Sequence, residues 1–250
     1  MLAKTFLLLA SLALASAAPA KRQAGPGCGS MPTLPVHGND AELPSPAADL
    51  ALKYIALGHG IQNYTCVATN ATTLTATATG ALAGLYDARR LYPKAGPGSL
   101  PSVDAFDALT TNALWGAPLP LVSDGVTRFG ASASAPFPPP ADLTLPNIAP
   151  LKQIGVHFFD DTGVPNFKVG ADLLKAAKIS GIKAPASADP GPEKTGAVDW
   201  LMLGDKGGSH GITAVYRVIT AGGVAHKCTT AGASDSVPYA AYYWLYGPKA

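Results

Sequence analysis

Charge is scarce in this chain: Asp, Glu, Lys and Arg make up 14% of its 250 residues, against a usual share of about 25%. No closely spaced histidine pair or cysteine pair occurs, so the common zinc-binding patterns are missing. The one Gly-x-Ser-x-Gly, Gly207-Gly208-Ser209-His210-Gly211, lies between two strand patterns and not between a strand and a helix, so an esterase of the nucleophile-elbow type is not expected. The one Asp-Thr-Gly triplet, Asp161-Thr162-Gly163 in "HFFDDTG", has no second copy and is followed by Val164. An aspartic protease needs two such carboxylates sharing a proton, whereas a single triplet reads as a hairpin turn. Beyond the N-terminus no apolar run approaches the 18 to 20 residues of a membrane-spanning helix, and no lipid-anchor signal marks the C-terminus.

What is present begins with an address. Lys4 precedes the apolar run "TFLLLASLALASAA", and the small residues "ASA" at 15–17 offer a signal-peptidase site. Residues 1–17 are therefore expected to be a signal peptide, and 18–22, ending in Lys21-Arg22, a propeptide. Removing residues 1–22 takes three basic residues and no acid, leaving 15 basic against 16 acidic residues. That balance gives no basic patch for nucleic acid or anionic membrane. The expectation is a secreted, extracellular protein.

With 27 glycines and 23 prolines, the mature chain reads as loop-rich, and its length suits one all-β domain. Residues 23–49 have no period and many prolines, an irregular arm laid on the domain or left free. From Leu50 the alternation of Leu50, Leu52, Tyr54 and Ala56 predicts a strand. Gly58 and Gly60 then suggest a bend holding His59 as a turn residue. Beyond it "NYT" is a glycosylation sequon, so Asn63 faces outward with Thr65, while Gln62, Tyr64 and Cys66 face inward. A second sequon stands at Asn70, ahead of strand patterns ending at Asp87.

"VDAFDALTTNALW" suits a short helix capped by Ser102, and "APFPPPADLTLPNIAP" a surface connection. "KQIGVHFFDD" and "PNFKVG" flank a turn as a hairpin, and "ADLLKAAKI" is the best helical segment. "AVDWLMLGDKGG", "GITAVYRVITAGG" and "VPYAAYYWLYG" are strand patterns separated by glycine-rich turns. In the last, Tyr239, Ala241, Tyr243 and Leu245 share one face and Tyr242, Trp244 and Tyr246 the other, so this strand is covered on both sides. The sum is a mainly β protein, a single antiparallel β-sandwich or barrel over residues 50–250, with long Pro/Gly-rich loops and at most one or two short helices.

Candidate chemistry is thin. His157 stands first, beside Asp160 and Asp161 where a strand meets a turn. With Asp205 and His210 these residues supply the histidine and carboxylate donors that a hard or borderline cation takes, while His157 alternating with Phe159 equally suits a core histidine. Arg217 shares a strand face with Val215 and Ile219 and, if buried, calls for a carboxylate partner. Of the three cysteines, Cys66 and Cys228 belong to the folded domain and are expected to pair. The competing pair is Cys28 with Cys228, which would pin the arm and leave Cys66 a free thiol.

"GIQNYTC", "GALAGLYDA", "VDWLML", "YRVITAGGVAHKC" and "VPYAAYYWLYG", in this order, resemble the domain-of-unknown-function family 3455 of secreted fungal and bacterial proteins. The resemblance covers roughly residues 50–250. It places Gln62, Tyr64, Cys66, Trp200, Arg217, Gly222, Gly223, Cys228, Tyr239 and Tyr243 on the family's recurring positions, and His157 on a histidine-aromatic pair. It implies no reaction. The malate dehydrogenase label carried by fungal members requires a glycine-rich loop between a strand and a helix of a parallel sheet, and "GDKGGSHG" lies between two strand patterns. No cofactor is expected. The function expected is a cell-surface or cell-wall binding module, for a cell-wall glycan or an apolar small ligand. The alternatives are an extracellular hydrolase or metal-dependent enzyme, and a structural coat component.

Overall fold

The computed structural model describes residues 32–38, 41–70 and 72–249. The segments expected to be a signal peptide and a propeptide, the first part of the arm and Cys28 lie outside the described residues. Eight strands follow in chain order, β1 (Leu50–Ala68), β2 (Leu74–Asp87), β3 (Gln153–Phe159), β4 (Pro165–Val169), β5 (Asp172–Ile182), β6 (Trp200–Asp205), β7 (Ala214–Gly222) and β8 (Ser234–Pro248). Each pairs antiparallel with the next, and β8 returns to β1 over Leu50↔Pro248 to Thr65↔Ser234. The sheet closes into a barrel with no free edge. Two short helices, α1 (Val103–Asp107) and α2 (Leu109–Gly116), fall within the long β2–β3 connection. Ser102 caps α1 as its position predicts, its hydroxyl accepting from the Ala105 N–H at 3.1 Å.

Closure divides the apolar residues into two layers. Inside the barrel lie Leu85, Phe167, Leu174, Val215, Tyr239, Tyr243 and Leu245, with small residues Ala56, Ala83 and Ala241 between them. Outside β1, β7 and β8 lies a second core, in which Tyr242, Trp244 and Tyr246 are covered by the helices and by the arm. Phe106 of α1 stacks on Tyr242 at 4.4 Å between centroids, and its carbonyl accepts from the Tyr242 hydroxyl at 2.7 Å. The arm is held down by Leu34 and Leu43, by a hydrogen bond from the Tyr216 hydroxyl to the Pro44 carbonyl, and by His37 set edge-on to Trp200. The two-sided reading of β8 is correct because both layers use it.

Four local expectations change. "ADLLKAAKI" is not a helix but the body of β5: Leu174 and Ala176 face the interior, and the backbone groups are taken by β4 and β6. Gly58 and Gly60 make no bend, since β1 runs unbroken through them. A Cβ on Gly58 would strike the Tyr243 ring and one on Gly60 the Leu82 carbonyl, so the glycines clear the barrel interior. His59 is accordingly not a turn residue but is buried in β1 among outward-facing neighbours. The alternation from Leu50 to Ala56 is broken by a bulge between Leu52 and Tyr54, which sends Leu50 and Leu52 to the outer core and Tyr54 and Ala56 to the inner one. The proline-rich connection is also more than surface, because Leu143 and Leu145 are buried in the outer core.

Cys66 and Cys228 are joined, with their Cα atoms 5.5 Å apart. The bond ties β1 to the β7–β8 connection.

Candidate functional site

One end of the barrel is shut and the other is open. At the shut end Leu245, Val215, Leu174 and Val169 fill the interior, and the Tyr54 hydroxyl donates to Asp172 Oδ2 at 3.0 Å. Toward the other end the inward positions of β2 shrink to Ala78 and Ala76, and a cavity of about 450 Å³ opens into the mouth. Phe159, Phe167, Leu201 and Tyr243 form its apolar wall, and Gln62, Tyr64, His157 and Arg217 converge on it. Eight strands leave an interior just wide enough for side chains or for one small ligand. Here the small inward residues leave part of it unfilled.

The His157 ring is stacked on Phe167, 4.0 Å between centroids and 5° from parallel. Its Nδ1 is 2.8 Å from the Asn166 carbonyl, which can only accept, so Nδ1 carries the proton and Nε2 is left as an acceptor. Burial pushes the imidazole down to about 4, with the Arg217 charge acting the same way. His157 is therefore neutral at pH 7. Tyr239 and Tyr243 share a hydrogen bond of 2.8 Å between their hydroxyls, and burial raises both above the ordinary tyrosine range. The Tyr64 phenol is pushed up to about 12 by burial, and its hydroxyl donates to the Gly223 carbonyl at 2.6 Å.

Arg217 departs from expectation. In place of a carboxylate, the half-buried guanidinium meets the Asp199 backbone carbonyl, to which Nε and Nη2 donate at 3.0 and 2.9 Å. Nη1 donates to Gln62 Oε1 at 3.4 Å, and Gln62 Nε2 in turn donates to the Gly80 carbonyl at 2.7 Å. Asp199 stands just before β6, which leaves its carbonyl outside the ladder and free to turn to Arg217. Its carboxylate goes to Lys183 at the rim, 3.2 Å away. A bulge follows Arg217 directly, between Val218 and Ala221, and holds Ile219 at a φ of 48°, a strained setting for a β-branched residue.

Of the residues weighed in the sequence for their chemistry, only His157 and Arg217 line this cavity, together with Gln62, Tyr64 and Tyr243, which the resemblance placed on recurring positions. Asp160 is spent on the β3–β4 turn, where it accepts from Thr162, from the Val164 N–H and from Asn166 Nδ2, and these bonds hold its carboxyl far below the usual range. Asp161 is exposed on the same turn. His210 sits at the shut end with its Nε2 against the Ala171 carbonyl, and Asp205 binds Ser209 and the Gly207 N–H. Among the described residues no three His, Cys, Asp or Glu side chains come together as a metal site. Asn63 is half-buried and accepts from the Ser236 hydroxyl at 2.8 Å, while Asn70 is exposed and closes a turn with Thr72. Sequence reasoning missed the convergence of Gln62, Tyr64 and Arg217, although the inward facing of the first two was the available signal.

Residues 46–247 match the family model described as a protein of unknown function, DUF3455. The chain belongs to this family. No curated protein and no solved structure matches it. The DUF3455 barrel is antiparallel at every strand pairing, whereas a dinucleotide crevice of the dehydrogenase type is built on parallel strands.

Proposed function

We propose that this DUF3455 protein is a secreted binding protein whose barrel mouth takes up one small organic ligand with an apolar body. The observation that carries the reading is the cavity of about 450 Å³, within the range of about 300 to 1,000 Å³ typical of small-molecule sites. Its wall is apolar and aromatic with a few convergent polar groups, the usual make-up of such a site. A flat cell-wall glycan surface has less support. Trp115 is the one exposed aromatic among the described residues, and its indole N–H is engaged by Asp189 at 2.8 Å. A hydrolytic or metal-dependent reading has less support as well, because Asp160, the carboxylate nearest His157 in sequence, holds a turn together.

Secretion is supported by the N-terminal apolar run and its small-residue site, and by the Cys66–Cys228 bond, which suits an oxidising compartment. Intact mass of the extracellular protein tests it. A chain starting at Gln23 or near Ala18, heavier by glycans on Asn63 and Asn70, is expected; protein retained in the cell with residues 1–22 attached would contradict it.

The cavity is tested with a neutral probe. 2-Naphthalenemethanol should bind one to one, and Ala76→Phe, which fills the mouth, should abolish uptake without lowering the melting temperature. Equal binding by both proteins, or none by the wild type, would remove the reading.

A further inference from the structure

Charge around the cavity is unbalanced. Arg217, Lys178 and Lys183 line it against one carboxylate, Asp199, and that carboxylate is engaged by Lys183. Among the described residues no Asp or Glu carboxylate oxygen lies within 4.0 Å of the Arg217 guanidinium. A guanidinium drawn this far from water is normally paired, since dipoles offset only part of the lost hydration. Its partners are a carbonyl, an amide oxygen at 3.4 Å and the neighbouring Tyr243 hydroxyl, and of its five N–H groups at least one remains for another acceptor. The groups around it add no negative charge: Tyr64, Tyr239 and Tyr243 are neutral phenols at pH 7, and His157 is neutral.

We infer that Arg217 anchors the ligand's anionic group, and that the ligand of this barrel is a small organic monoanion, a carboxylate carrying an apolar body of about one or two rings. The inference rests on the binding reading above. The carboxylate lies against the free guanidinium edge, and the ring body lies between Phe159, Phe167 and Leu201 on the cavity wall. Lys178 and Lys183 at the rim draw the anion toward the mouth. Gln62 is a positioning residue, held by Gly80 and holding Nη1 in turn. A planar carboxylate suits the fork of a guanidinium, and one negative charge balances the Arg217 cation.

The experiment compares 2-naphthoate with 2-naphthalenemethanol by titration calorimetry at pH 7, on the secreted protein with its disulfide intact. The wild type should bind naphthoate at least about ten-fold tighter, the lower end of what a charge-assisted hydrogen-bond pair contributes. Arg217→Met should erase that preference, read as the ratio of the two affinities within one protein, and Arg217→Lys should keep part of it. The Arg217 Nε–H resonance, followed by NMR in the wild type, should shift with naphthoate and hardly with the alcohol, which keeps the test independent of whether a variant folds. Equal affinity for both probes would overturn the anionic anchor and leave the binding reading standing. Binding of neither would overturn both. A preference that survives in folded Arg217→Met, or an unmoved Arg217 resonance, would assign the charge effect to the rim lysines and overturn Arg217.

Discussion

β8 carries an aromatic ladder on each of its faces, and the two are finished differently. Outward, Tyr242 and Trp244 are covered by Phe106, Tyr92 and the arm, and ring packs on ring. Inward, Tyr239 and Tyr243 bond to each other beside a cavity, across from a cation with no counter-charge. The same strand thus serves a ring-packed layer beneath the helices and a partly unfilled one built around polar groups. Substitutions should separate the two.

The largest effect is expected on the outer layer. Phe106→Ala removes the ring stacked on Tyr242 and should cost about 3 to 5 kcal/mol, a large part of an ordinary domain's stability. Denaturant unfolding measures this, and the folded fraction should bind the neutral probe as before. Loss of probe affinity in still-folded protein would show that the layers are coupled.

Acid probes the inner layer. The unfolded chain protonates His157 near 6.5, while the folded barrel resists protonation down to about 4. The stability His157 contributes is therefore complete above pH 6.5 and falls as pH drops toward 4, by on the order of 3 kcal/mol. His59, also lowered by burial, acts in the same direction. His157→Phe should flatten the wild-type slope between pH 6.5 and 4 by His157's share; an unchanged slope would mean that the imidazole is open to solvent.

The disulfide ties β1 to the β7–β8 connection. Replacing Cys66 and Cys228 together by serine should cost about 2 to 4 kcal/mol, read as a lowered denaturation midpoint. Non-reducing peptide mapping should link the two peptides.

The smallest effect has the opposite pH sign. Asp107, on the helical cover, has an unpartnered buried Oδ1, and burial together with Asp104 pushes its carboxyl up to about 6. Its contribution is thus present below 3.8 and lost as pH rises to 6. Asp107→Asn should stabilise the protein at pH 7 by on the order of 1 kcal/mol, since solvent screens part of the charge, and should make no difference at pH 3.5.

Periodicity made much of this legible. The alternation in "VPYAAYYWLYG" showed two buried faces, the position of Ser102 showed a cap, and the inward facing of Cys66 pointed to its partner. "ADLLKAAKI" was not legible, because Leu173, Leu174 and Ala177 fit a helical stripe as well as Leu174 and Ala176 fit a strand face. Pairing with β4 and β6 decides between them, and no local pattern contains it. The site was half legible. His157 and Arg217 stood out as polar residues in apolar strands, but the contact of Arg217 with Gln62 spans 155 residues and exists only because β8 returns to β1 and closes the barrel.

The division between a ring-packed outer layer and an open inner one is tested most directly by following side-chain NMR signals while 2-naphthalenemethanol is added to the disulfide-bonded protein. Shifts are predicted at Tyr64, His157, Phe167 and Tyr243, with Phe106, Tyr242 and Trp244 unmoved. Shifts confined to the outer residues, or none up to the probe's solubility limit, would contradict it.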